Sequence, residues 1–195
     1  MSRSAGKVAL VTGGGRRIGA AICRRLAREG FTVALTYRTS REEASTLSRE
    51  IGGKALPLDL LRPSGIPRLR AAVRRVFGRL DLLVHNAAVF PRTAVGGIPA
   101  REWDGIFAVN LRGPFLLTQA FLPLLRASPG GAVLFLGDAG AAKLWPGYLP
   151  YCLSKIALAH QAAAWEKILS PQIRVGLVEP GFALIPKGFP VKHHN

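Results

Sequence analysis

A doubly wound α/β sandwich, a parallel sheet between two layers of helices, is the fold class that the sequence predicts. Three observations predict it. Short apolar, β-branched runs alternate strictly with amphipathic helical stretches. The first of these runs ends in a glycine cluster that opens directly into a helix. No linker, internal repeat or low-complexity tract interrupts the rhythm. Strict alternation argues parallel strands joined by right-handed crossover helices, the three-layer α/β/α arrangement of Rossmann type.

Lys7 to Thr12 reads as a buried strand, because its apolar run is too short for a helix and is stopped by Gly13, Gly14 and Gly15. Ile18, Ala21, Ile22 and Leu26 then recur at helical spacing until Gly30 ends the helix. Phe31 to Tyr37 is the second strand, and a polar helix follows from about Arg41 to Ile51. A third strand is expected at Ala55 to Leu60, a basic helix at Ile66 to Phe77 and a fourth strand at Leu80 to Ala87. A long helix from Arg101 to Arg126, a strand at Ala132 to Gly137, a helix from Tyr151 to Leu169 and a strand at Ile173 to Val178 bring the count to about six strands. Pro180 to Asn195 contains Pro and Gly and reads as irregular.

A chain of 195 residues with 49% hydrophobic and 19% charged content suits one globular domain, residues 1–195. No apolar stretch is long enough to span a bilayer, and Met1 to Lys7 lacks the apolar region of a signal peptide, so a cytoplasmic location is expected. Cys23 and Cys152 are far apart and have no histidine cluster beside them, which argues against a disulfide framework and against a metal site. Cys152 reads as a packed helix residue, and His193 and His194 as tail. The net charge of +16 raises nucleic-acid binding as a possibility. The arginines, however, are dispersed along helices, as Arg24, Arg25, Arg28 and Arg68, Arg70, Arg74, Arg75, without an interleaved aromatic stripe. Nucleic acid is therefore not the expected partner, and the deciding feature is whether these cations form one contiguous patch.

Two patterns carry chemistry. Thr12, Gly13, Gly14, Gly15, Arg16, Arg17, Ile18 and Gly19 stand where the first strand turns into a helix, and glycines there let backbone amides approach a pyrophosphate at the positive helix terminus. After the second strand come Arg38, Thr39 and Ser40, where folds that bind NAD carry an acid on the ribose hydroxyl. A cation with hydroxyls fits a 2′-phosphate, so NADPH/NADP+ is the expected cofactor; the alternative is a surface Arg38. Tyr151 and Lys155 share one helix face at i and i+4, where an ammonium can draw a phenol's pKa down and make it a general acid. The alternative is a solvated lysine beside a core tyrosine.

With these residues in view, the chain resembles the short-chain dehydrogenase/reductase family from Lys7 to Gly181. The matching pieces are Thr12, Gly13 and Gly19, then Asp59, then Asn86, Ala87 and Ala88, then Asn110, the Tyr151/Lys155 pair, and Pro180 with Gly181. The resemblance implies cofactor contacts from Gly13, Arg16, Arg17, Ile18, Arg38, Thr39, Ser40, Asp59, Asn86, Ala87, Pro180 and Gly181. It implies that Asp59 meets the adenine, Asn110 holds a proton-relay water, Lys155 holds the nicotinamide ribose and Tyr151 gives the proton. Two departures point to one branch. Arg17 stands where the family has glycine, and Asp138 stands thirteen residues before the tyrosine, where it has serine. Both are similar to the pteridine reductases, whose catalytic set is Asp, Tyr and Lys. Phe90 stands where those enzymes stack the pterin, and Gly147 and Tyr148 keep their register. Arg17 would reach both cofactor phosphate and substrate. Phe90 as ordinary core, and Asp138 as the mark of a dead enzyme, are the competing readings.

Gly176 replaces a usual Asn, and Phe182, Ala183, Leu184 and Ile185 replace the usual Thr or Ser after Pro180 and Gly181. The family's substrate-lid helix and seventh strand have no counterpart before Asn195, so a truncated C-terminal end is expected. The expected function is an NADPH-dependent pteridine reductase acting on a dihydropterin or dihydrofolate, with Asp138, Tyr151, Lys155 and Asn110 catalytic and Arg17, Phe90, Asp138 and Tyr151 on the substrate. The alternatives are a carbonyl reductase of the same family, for 3-oxoacyl, quinone or sugar substrates, and a non-catalytic NADP(H)-binding protein. The resemblance implies a homo-oligomer, tetramer or dimer, through the helices that begin near Arg101 and Tyr151.

Overall fold

The apolar run after Lys7 forms β1 (Val8–Val11), all four residues of which are buried. The remaining strands are β2 (Thr32–Tyr37), β3 (Lys54–Pro57), β4 (Leu82–His85), β5 (Ala132–Leu136) and β6 (Arg174–Val178). The helices are α1 (Arg17–Arg28), α2 (Arg41–Glu50), α3 (Ile66–Phe77), α4 (Ala100–Phe107), α5 (Gly113–Arg126) and α6 (Leu149–Leu169). The computed structural model describes residues 6–94 and 96–181. His193, His194 and most of the irregular segment expected from Pro180 onward, including Phe182 to Ile185, lie outside the described residues. The strands pair in the order β3-β2-β1-β4-β5-β6, and every pairing is parallel. Chain order reverses between β1 and β4, which opens a crevice at their C-terminal ends.

Side chains alternate across the sheet and both faces are buried. Leu10, Leu83 and Phe135 point to a core built with α3, α5 and α6, which contribute Leu69, Phe121 and Trp165. Val11, Val84 and Leu136 point the other way, to Ala20 and Cys23 of α1 and Ala44 and Leu47 of α2. This is the reason the strands read as unbroken apolar runs rather than alternating ones. Along α1 the sequence pattern misplaces one residue. Ala21 is exposed, whereas Gly19, Ala20 and Cys23 are buried. Small residues fit where the helix start packs closest to the sheet. The long helix expected from Arg101 to Arg126 is continuous but holds a π turn, Ala108–Arg112, between α4 and α5. Both cysteines are buried, and burial pushes the Cys23 thiol up to about 12, against a small opposing pull from Arg24. Among the described residues no helix is long and apolar enough to cross a membrane.

Two polar groups sit inside this framework. Asp81, just before β4, accepts from the Val8 amide at 2.7 Å, the Ser128 hydroxyl at 2.5 Å and the Arg79 guanidinium at 2.6 and 2.9 Å. Burial alone would raise its pKa, but the bonds from Arg79, Ser128 and the Val8 amide outweigh it and hold the carboxyl low. His85, the last residue of β4, stacks on Phe135 at 4.7 Å and shares a 2.9 Å bond with Thr118. Its Nδ1 is buried without a partner, and burial pushes the imidazole down to about 3.

The His85 shift predicts a pH dependence. An unfolded histidine titrates near pH 6.5, so below that value the unfolded chain binds a proton that the folded chain refuses until about pH 3. The stability due to neutral His85 is complete above about pH 6.5 and is lost as pH falls, at up to about 1.4 kcal/mol per unit. Urea unfolding at pH 7, 6 and 5 should show this slope, and His85→Asn should flatten it. Equal slopes would refute the assignment.

Candidate active site

The glycine turn after β1 is pinned to the end of β4. Thr12 Oγ1 accepts from the amides of Asn86 and Ala87, each at 3.0 Å, and donates to the Val84 carbonyl at 3.2 Å. Asn86 Nδ2 returns the connection, donating to the carbonyls of Thr12 at 2.8 Å and Gly13 at 3.1 Å. Thr36 Oγ1 accepts from the Gly13 amide at 3.2 Å, tying in β2. Two glycines are needed for close approach. Gly13 has φ +61°, and a Cβ there would press on Ala87 at 3.1 Å. A Cβ at Gly19 would run into the Gly13 carbonyl and lie 2.6 Å from Asn86 Nδ2.

A groove of about 350 Å³ runs over this turn, and it gathers residues scattered in sequence. Gly13, Arg16, Arg17 and Ile18 form one side, Arg38, Thr39 and Ser40 the end of β2, Asp59 the end of β3, and Asn86 and Ala87 the end of β4. Arg38 is exposed and no acid stands beside it after β2. Arg16 is exposed and lies 3.6 Å from Glu43. Asp59 Oδ1 accepts from the Leu61 amide at 3.0 Å, which fixes the turn after β3. Arg17 has φ +52°, the left-handed region where only glycine avoids a steric cost. Arginine therefore occupies a strained position that glycine would fill without strain, and local strain of this kind concentrates at functional sites. A groove floored by Cβ-free glycines and rimmed by cations fits a dinucleotide phosphate.

Lys155, Pro180 and Gly181 stand apart from that groove, at the ends of β5 and β6. Lys155 is buried on α6, and its Nζ donates to the Leu136 carbonyl at 2.6 Å. Burial lowers its pKa to about 8, opposed by the Asp138 charge. The Pro180 carbonyl accepts from the Ala139 amide at 3.3 Å, which joins the chain after β6 to the chain after β5.

Tyr151 and Asp138 meet directly. The phenol donates to Asp138 Oδ2 at 2.6 Å, and Asp138 Oδ1 accepts from the Gly140 amide at 2.8 Å. The expected lowering of the phenol's pKa by Lys155 is not what this arrangement produces. Burial first, and then the Asp138 carboxylate, push the phenol well above its usual value, while the ammonium lies 6.0 Å from the ring centroid. Tyr151 is thus held as the neutral phenol, with its O–H directed at the carboxylate.

Asn110 lies in the π turn. Its Nδ2 donates to the Val89 carbonyl and to Ser154 Oγ, each at 3.0 Å, and its Oδ1 accepts from the Val89 amide at 2.9 Å. Ser154 in turn donates to the Tyr151 carbonyl at 2.7 Å. The amide protons are taken up by protein acceptors, so the side chain clamps the segment that follows Asn86 against α6. Ser154 carried no sequence signal beyond its place on the Tyr151 helix.

Phe90 is not isolated. Its ring stacks on Tyr148 at 4.2 Å and 7° and meets the Tyr151 ring edge-on at 4.4 Å. Trp145 closes over Gly140, where any Cβ would strike its indole. The register of Tyr148 is legible in the sequence, but its stacking on Phe90 and the approach of Trp145 are not, because a sequence offers no marker for rings that converge from a loop. The site is therefore an aromatic box beside a carboxylate and a phenol, at the end of the sheet that also carries the phosphate-type groove.

A match to the short chain dehydrogenase family covers residues 7–186. The chain is 34% identical over 190 residues to an uncharacterised oxidoreductase of Methylorubrum extorquens, covering 94% of this chain and 76% of that one. It is 33% identical over 184 residues to a 3-oxoacyl-acyl-carrier-protein reductase of Staphylococcus aureus, covering 90% and 74%. Among solved structures, a metagenomic short-chain oxidoreductase in complex with NADP superposes with a TM-score of 0.82 at 34% identity, covering 89% of this chain and 81% of that one.

The close approach at Gly19 yields a direct test. Gly19→Ala forces a methyl against backbone and Asn86, and should cost about 1 to 3 kcal/mol. A fall in Tm of roughly 2 to 10 °C is expected. An unchanged Tm would show that the glycine turn has room to relax.

Proposed function

The chain belongs to the short-chain dehydrogenase family of oxidoreductases, and on that premise we propose that it is an NADPH-dependent reductase delivering hydride to a pterin ring, a dihydropterin or dihydrofolate. The observation that carries this reading is the 2.6 Å bond from the Tyr151 hydroxyl to Asp138. A carboxylate accepts hydrogen bonds and cannot donate them at neutral pH. While it accepts the phenol's hydrogen bond, the Tyr151 O–H is turned away from a substrate. An amino-pyrimidine edge brings its own N–H donors, satisfies Asp138 and releases Tyr151 toward the reacting nitrogen. A simple ketone offers only an acceptor, which the carboxylate repels.

The bound cofactor would supply the hydride. This chain's own residues do the rest. Arg38, Thr39 and Ser40 bind the 2′-phosphate, Arg16, Arg17, Gly13 and Ile18 the pyrophosphate side, and Asp59 the adenine. Asn86 and Ala87 fix the groove floor, while Lys155, Pro180 and Gly181 position the nicotinamide end. Phe90 offers an aromatic surface for the flat substrate, Arg17 reaches from the phosphates toward it, and the Asn110 turn supports proton resupply to Tyr151. We include a homo-oligomer in this reading, supported by exposed Trp103 and Phe115 on the α4 and α5 surface.

A carbonyl reductase is the second reading, favoured by the 33% identity to a 3-oxoacyl-acyl-carrier-protein reductase. Asp138→Ser separates the two. Stranding a donor on the substrate costs about 1 to 3 kcal/mol, so dihydropterin turnover should fall roughly 5- to 150-fold with NADPH affinity nearly unchanged. Under the carbonyl reading, the serine variant keeps or gains activity on 3-oxoacyl substrates. Full dihydropterin turnover by the serine variant would sink the pterin assignment.

Cofactor choice is tested independently. Arg38→Ala should weaken NADPH by about 1 to 3 kcal/mol, the scale of a charge-assisted bond, and leave NADH little changed. Fluorescence titration of both cofactors reads this out, and equal losses would remove Arg38 from the 2′-phosphate.

A further inference from the structure

All strands run in one direction, so the strand starts and the last turns of the helices that feed them share one end of the molecule, opposite the groove over Gly13. Cations collect at this end. Arg28 closes α1, Arg49 α2, Arg74 and Arg75 α3, Arg126 α5 and Lys167 α6. Lys7 precedes β1, Lys54 opens β3 and Arg174 opens β6. All of these are exposed, and among the described residues none is in an ion pair. The acids at this end are Glu29, Glu50, Asp81 and Glu166, and the first three are already paired with Arg25, Arg24 and Arg79. Lys7, Arg79 and Arg174 line one depression of about 230 Å³ across the starts of β1, β4, β5 and β6.

Helix dipoles favour a cation in each last turn. They account for Arg74 and Arg75, both in the last turn of α3, but not for the cations at the strand starts, Lys7, Lys54 and Arg174. The arginines that look dispersed along the sequence are thus gathered, in part, onto one face. We propose that this face docks the phosphate backbone of a nucleic-acid duplex. Six strands about 4.8 Å apart give a strip roughly 24 Å across, the length of duplex that carries about 14 phosphates. The helices meet this face end-on, so none lays an apolar side along it as membrane anchoring requires. With no helix lying across the face to enter a groove, contacts fall on phosphates and the binding is independent of sequence.

The test uses the whole protein and a fluorescent 24-base-pair DNA duplex, read by anisotropy at several salt concentrations. Binding should weaken with salt at a log–log slope of about −3 or steeper, the signature of three or more phosphates neutralised. Arg74→Ala/Arg75→Ala/Arg174→Ala should weaken binding tenfold or more. The charge-matched Arg62→Ala/Arg68→Ala/Arg70→Ala, nearer the opposite end, should change it less than twofold, with both variants melting like the parent. Saturating NADPH should leave the duplex affinity unaltered. Equal losses in the two triple variants would reduce the effect to net charge and overturn the proposal. Competition by NADPH would move the site to the groove, and binding to phosphatidylserine vesicles but not to duplex would make the partner a membrane; either result overturns it. The pterin reading stands or falls separately, since it concerns the other end of the sheet.

Discussion

Everything at the working end of this molecule depends on one constraint, the fastening of the first glycine turn to the end of β4. Thr12 and Asn86 exchange hydrogen bonds through both side chains, and the turn packs so closely that Gly19 leaves no room for a Cβ and Gly13 leaves little. These bonds replace the water that the turn's amides and carbonyls would otherwise hold, and leaving any of them unmade would carry the cost of a buried unsatisfied group. With the turn fixed, the start of α1 points at the crevice between β1 and β4, where a helix terminus favours an anion.

A second fastening sets the other half of the site. The π turn turns Asn110 toward Val89 and Ser154, so the segment after β4, the long helical run and α6 share one amide. Because Ser154 also bonds to the Tyr151 carbonyl, the position of the phenol is tied to the same amide. The two fastenings adjoin through Asn86 to Val89. This contiguity holds the phosphate-type groove beside the aromatic box with its phenol and carboxylate.

Charge is divided between the two ends by the same parallel topology. At the groove end, cations stand among glycines and hydroxyls, and acids such as Glu43, Asp59 and Asp138 are interspersed. At the strand-start end, the acids are largely consumed by neighbouring arginines, and the remaining cations face water. Buried Asp81 belongs to the architecture rather than to either surface. It joins the start of β1 to the loop before β5 through Val8 and Ser128.

The sequence by itself determined the order and type of the strands and helices, the family pattern, and the positions of Tyr151, Lys155, Asp138 and the glycine turn. Hydrophobic period, glycine placement and i to i+4 spacing are local quantities, and local quantities survive in a linear string. Element ends were less legible: β3 stops at Pro57 although Leu58 and Leu60 remain buried, because strand length is set by what the neighbour offers to pair with. Only the tertiary structure decided that Ala20 rather than Ala21 faces the sheet, that Tyr148 and Trp145 join Phe90, and that Ser154 and Thr36 serve the site. It also decided that the Tyr151 hydroxyl donates to Asp138 rather than being acidified by Lys155, and that dispersed arginines converge in part on one face. Those outcomes depend on burial and on distances between residues far apart in the chain, and neither exists until the sheet has formed.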